Sequence, residues 1–272
     1  MQWSRTKTIL IVILLLVDGF LFFNIAEKYV SRSYREAENA HNIVEILTAR
    51  GIGIDPGFDL PDTQALPVLQ ADRSRVEEDK FAYGLLGEDA ISSEQASGST
   101  VRYTSDRGTL EWRDGGAVSG TIVPEVYTQP ADDKQTKEQA ERLLTQAGLT
   151  TSSLTLAVNG QTVTASFPTA GVPVFNRVIT LTFEKEQILL SGVWTFGMPY
   201  ITKSGNYVTF AAADALFILI SGTEIEQITG MEQGFLLSES GGGRVQLTPG
   251  WRINTNTGSS FVDSLKKSVS VL

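Results

Sequence analysis

The 272 residues include one histidine and no cysteine. Structural disulfides, thiolate metal sites and cysteine nucleophiles are therefore excluded. Any Ser-His-Asp arrangement would have to use His41, and no G-x-S-x-G elbow accompanies it. His41 falls on the charged face of an expected helix, where a solvent-exposed role is the simpler reading. H-E-x-x-H, Cys/His zinc and EF-hand spacings are missing, as is a Walker-type phosphate loop. Gly51-x-Gly53 runs into Pro56, where a dinucleotide fingerprint requires a third small residue and a helix. Gly241-Gly242-Gly243 lies between two strand patterns and reads as a hairpin tip rather than a phosphate cradle. Acids cluster at Asp132-Asp133 and Glu77-Glu78-Asp79, in helix-start and loop contexts where carboxylates are ordinary, so a glycosidase-like pair is disfavoured. The expectation is a non-enzyme with no catalytic residues, no cofactor and no metal.

Two polar residues stand out for a different chemistry. Thr8 to Ala26 reads TILIVILLLVDGFLFFNIA, an apolar run of 19 residues interrupted by one ionisable side chain, Asp18. As a helix it covers about 28 Å, close to the hydrocarbon thickness of a bilayer. It exceeds a signal-peptide core and lacks an A-x-A cleavage pattern, so an uncleaved anchor is expected. A carboxyl at that depth is unfavourable unless it meets a protein neighbour or water. Asp18, helped by Asn24, is therefore the candidate partner-binding pair, contacting other transmembrane helices; the alternative is a protonated acid tolerated by a very apolar helix. Asp18 and Asn24 lie about 240° apart around the helix, so two neighbours suit them better than one.

The elements around this pair set its orientation and context. Arg5 and Lys7 precede the run, and the residues after it mix Lys28, Arg32 and Arg35 with Glu27, Glu36 and Glu38. This favours a cytoplasmic tail at 1–7, an anchor at 8–26 and the bulk of the chain outside the cell. A formal charge of −9 and a pI near 4.8 argue against a nucleic-acid surface.

Beyond the anchor the pattern is α+β, with helix-on-antiparallel-sheet modules. A juxtamembrane helix and short strand occupy 27–54. The helix, Val30 to Arg50, carries a stripe at Val30, Ala37, Val44 and Ser33, Ala40, Leu47, is capped by Gly51, and packs on its own domain or on a partner helix. A first module is expected at 55–123: irregular to about residue 80, then strands at Phe81–Leu86, Thr100–Thr104, Leu110–Arg113 and Val118–Val123. A second, 124–199, opens with a helix at Thr136–Ala147 followed by strands at 155–158, 162–167, 174–184 and 188–196. A third, 200–272, opens with an apolar helix at Ala211–Ser221 and a hairpin through 224–254. Ile188-x-Leu190-x3-Trp194 matches Val245-x-Leu247-x3-Trp251, which suggests that the last two modules are related, each with a tryptophan just past a strand pair.

With these residues in view, the chain resembles the YycI family of membrane-anchored regulatory proteins. The likeness rests on Met1-Gln-Trp-Ser-Arg-Thr-Lys-Thr-Ile leading into the span with Asp18, on Gly51-Ile-Gly-Ile54 and Leu60-Pro61, and on Gly192-Val-Trp194 and Thr248-Pro-Gly-Trp251-Arg-Ile253. It covers the two ends well and roughly 60–130 poorly. The resemblance implies an extracellular, non-catalytic α+β domain. It also implies a complex with an essential sensor histidine kinase of the YycG/WalK type and with a sister protein, YycH. An anchored extracellular module that binds peptidoglycan or a peptide, independent of a kinase, is the alternative.

Overall fold

The structure is a computed structural model that describes residues 13–20, 22, 42–95, 98–195, 197–201, 207–241 and 243–272. It is mixed α+β. In chain order come α1 (42–49), β1 (Gly53–Ile54), β2 (Leu66–Pro67) and β3 (Leu69–Asp72). Helix α2 (Arg75–Leu86) then precedes β4 (Ile91–Glu94), β5 (Thr100–Ser105), β6 (Gly108–Arg113) and β7 (Ala117–Ile122). Helix α3 (Asp133–Gln146) precedes β8 (Thr155–Asn159), β9 (Thr162–Ser166), β10 (Val178–Phe183) and β11 (Ile188–Val193). After β12 (Tyr200–Ile201) and β13 (Tyr207–Val208), α4 (Ala212–Gly222) precedes β14 (Gln227–Glu239), β15 (Arg244–Thr255), β16 (Gly258–Asp263) and β17 (Val269–Val271). A helix followed by four strands thus occurs three times.

The first two units share one eight-stranded sheet in the order β4-β5-β6-β7-β11-β10-β9-β8, antiparallel at every step. The two meanders meet through β7 and β11, so each last strand is covered rather than left as an edge. Alternation in β6, β9 and β10 turns Leu110, Trp112, Val163, Ala165, Ile179, Leu181 and Phe183 to one face, where α2 and α3 supply Phe81, Leu85, Ala140 and Leu144. The third unit forms a second sheet, β1-β14-β15-β16-β17, which β3 joins beside β15. Its core gathers Leu216 and Leu219 of α4, Trp251, Ile253 and Val262.

Several expectations are corrected. Residues 75–86 form helix α2, not an irregular stretch and a strand at Phe81–Leu86. Its buried positions 78, 81, 82, 85 and 86 follow a helical period, but the first is Glu78, so the apolar pattern is broken where it begins. Gly84 also reads as a breaker. In the fold it lets α2 approach α3, since a Cβ there would lie 2.4 Å from the Gln146 carbonyl oxygen. Gly84→Ala gains helix propensity yet forces the helices apart, so a net loss of about 1–3 kcal/mol is expected in urea unfolding. Only Trp194 sits past its strand; Trp251 lies inside β15, opposite Gln233 and Val262. Strand β10 starts at Val178, and Val174 instead makes a parallel bridge to Phe235 of β14.

Helix α1 docks on the C-terminal unit: Ile43 and Leu47 are buried in that core, Arg50 donates to the Ile220 carbonyl at 2.8 Å, and β1 runs parallel to β14. Gly51 follows in the left-handed region (φ 73°), as a helix C-terminus requires. Val44, expected on the packed stripe, is exposed; residues 30–41 of the expected helix lie outside the described residues.

The two sheets are stitched together. Asn176 clamps Leu237, donating to its carbonyl (2.7 Å) and accepting from its amide (2.8 Å). Arg73, just after β3, reaches Glu78 of α2 (2.6 Å) and Asp114 in the β6–β7 turn (2.8 Å).

Candidate functional site

Asp18 lies on the helical stretch 13–20 and is exposed, as are Ile13, Leu14, Leu15, Leu16, Val17, Phe20 and Phe22. Asn24 and His41 lie outside the described residues, as do residues 8–12, 21 and 23–26 of the expected span. Among the described residues no helix is long and apolar enough to cross a membrane.

The acid clusters separate onto different tasks. Glu77 pairs with Lys80 at 3.0 Å on the surface. Glu78 is enclosed between Arg73 and Arg75, and Asp79 accepts from the Tyr103 hydroxyl at 2.8 Å. Burial, and then that bond to Asp79, push the Tyr103 phenol well above its ordinary value. Asp132 caps α3 by accepting from the Gln135 amide at 2.8 Å, and Asp133 occupies the first turn. Gly241 and Gly243 form the β14–β15 turn. No group of three or more metal-binding side chains occurs among the described residues.

One arrangement with unmatched chemistry was not legible in the sequence. At the end of the eight-stranded sheet, a cleft of about 840 Å³ opens between the start of α2 and the loops after α3, β9 and β11. Its walls include Leu149, Leu154, Phe167, Pro168, Met198 and Pro199, with Ser74 and Glu77 at one side. Arg177 lines it and is 6% exposed. The guanidinium lies 5.0 Å from the ring centroids of Phe167 and of Trp194, and Nη2 donates to the Thr195 carbonyl at 2.5 Å. Its Nε, and the hydroxyl oxygen of Thr169 on the same cleft, are buried without a hydrogen-bond partner among the described residues. Burial alone, with no neighbouring carboxylate among the described residues to offset it, pulls Arg177 down to about 10. It stays charged at neutral pH. The only sequence signal was a charge heading an apolar strand.

No family model matches the chain, and no curated protein matches it. Among solved structures, it is similar to an uncharacterized protein from Eubacterium rectale ATCC 33656, at 9% identity over 81% of this chain and 90% of that one, with a TM-score of 0.43. It is also similar to the Bacillus megaterium YpeB C-terminal domain, at 10% identity over 74% of this chain and 98% of that one, with a TM-score of 0.35.

Proposed function

We propose that this chain is a YycI-type, non-catalytic accessory protein, anchored by residues 8–26 with its α+β units outside the cell. It modulates a sensor histidine kinase of the YycG/WalK type alongside a sister protein of the YycH type. The observation that carries this reading is the apolar run with Asp18 inside it, leading into a folded region whose first helix is tied to its last unit. Through α1 and β1, residues 42–54 pack against α4 and β14. In this reading, the C-terminal unit is where a displacement of the anchor would be felt. Direct recognition of a peptide or of peptidoglycan, without a kinase, is the second reading; the cleft around Arg177 favours it.

The test is co-purification of the full chain with the kinase from detergent-solubilised membranes. Asp18→Leu is expected to keep membrane insertion and to reduce recovery of the kinase roughly threefold to tenfold, the loss of one interhelical hydrogen bond in lipid. Asp18→Asn should retain most of it, because the amide still hydrogen-bonds. Wild-type recovery with leucine would remove Asp18 from the interface.

A further inference from the structure

Arg177 is a buried cation on the wall of an open cleft, and among the described residues no acidic side chain pairs with it. Two aromatic faces and one backbone carbonyl compensate the charge only in part. One N–H of Nη2 goes to Thr195 and Nε is enclosed, which leaves the second N–H of Nη2 and those of Nη1 as the donors for a ligand. The start of α2 lies across the cleft at Ser74, whose side chain makes no capping bond, so the positive end of a 12-residue helix faces the same space. The remaining walls are mostly apolar, with Thr150, Ser153 and Thr169 adding hydroxyl groups.

We infer that this cleft binds a carboxylate carried on a short apolar peptide, with Arg177 as the anion-binding residue. This inference does not rest on the kinase reading. A peptide carboxylate suits the site better than a phosphate for two reasons. A lone guanidinium that already gives one N–H to Thr195 can serve one carboxylate, whereas a phosphate calls for donors from further groups. Glu77 at the edge, only partly offset by Lys80, would also oppose a dianion. The volume accommodates two or three residues, whose side chains would meet Leu149, Leu154, Phe167 and Met198. The carboxylate can belong to a chain end or to an acidic side chain.

The experiment is calorimetric titration of the full chain in detergent with three probes: N-acetyl-Ala-Leu-Phe as the free acid, the same peptide as its C-terminal amide, and N-acetyl-Ala-Glu-Phe amide. The free acid is expected to bind at least about tenfold more tightly than its amide, the difference made by one charge-assisted contact. That preference should vanish in Arg177→Gln and persist, weakened, in Arg177→Lys. Removing a buried charge that is only partly compensated should leave the melting temperature of Arg177→Gln unchanged or higher. Tight binding of the glutamate-bearing amide would assign the carboxylate to a side chain; its failure beside a binding free acid would assign it to a chain end. Equal affinity of all three probes in the wild type, no binding of any probe, or a carboxylate preference surviving Arg177→Gln would overturn the proposal. So would inorganic phosphate that displaces the free acid with equal or higher affinity. If neither variant folds, the acid-against-amide comparison and the phosphate competition in the wild type still decide it.

Discussion

Replacing Trp251 with alanine is expected to cost about 3–5 kcal/mol and to unfold the C-terminal unit ahead of the eight-stranded sheet. The indole is fully enclosed in β15, flanked across the sheet by Gln233 and Val262, and packs in the core formed with α4. Its ring N–H donates to the Phe210 carbonyl at 2.7 Å, at the entrance to α4. Alanine removes the largest side chain of that core and leaves the carbonyl without its donor; phenylalanine restores most of the volume and should cost only about 1–3 kcal/mol. The core under α2 and α3 closes without Trp251. In urea, far-UV dichroism should therefore begin to fall while the near-UV signal of Trp112 and Trp194 persists. A single coincident transition, shifted as a whole, would instead make the two sheets one cooperative unit.

What the sequence made legible follows from how locally each signal is written. Helix α3 carries Ala140 and Leu144 at helical spacing behind an aspartate cap, with Ala147 just past its end, and α4 is almost wholly apolar; both were expected within a few residues of where they lie. The β5–β7 meander was readable because Asp106-Arg107-Gly108 and Asp114-Gly115-Gly116 punctuate alternating strands. Pairings between distant segments were not. Nothing local says that β7 meets β11 or that β1 lies beside β14, since both depend on which exposed edge needs cover. Helix α2 was missed because its buried face begins with a charge and holds a glycine whose missing side chain is a packing feature. Arg177 was missed for a related reason. A lone arginine at a strand start reads as surface, and only the chain turning back through Phe167 and Trp194 encloses it. Asp18 shows the converse: the sequence singles it out, but its proposed partners belong to other chains.

Glu78→Ala should be about as damaging, at about 3–5 kcal/mol, because it leaves buried positive charge behind. Glu78 is 1% exposed, and its two oxygens meet Arg73 Nε at 2.6 Å and Nη2 at 3.0 Å, with Arg75 Nη1 at 3.2 Å. Burial would lower Arg73, but the hydrogen bonds and charges of Glu78 and Asp114 outweigh it and hold the guanidinium above its ordinary value. Without Glu78, Arg73 keeps only Asp114 and the Ser99 carbonyl, while Arg75, one-third exposed, still reaches Glu94. Glu78→Gln retains the volume and one acceptor and should lose less. The double variant Glu78→Met, Arg73→Met replaces both charges by apolar bulk and should recover most of the loss, since an ion pair removed whole takes its desolvation penalty with it. Chemical denaturation of the three variants measures this. A double variant as unstable as Glu78→Ala would show that the bridge to Asp114, and not the pair itself, joins the sheets. Because Ser74 and Glu77 precede Glu78 on the same turn and line the cleft, loosening this joint should also weaken binding of the free-acid peptide at Arg177, with no side chain in the cleft altered.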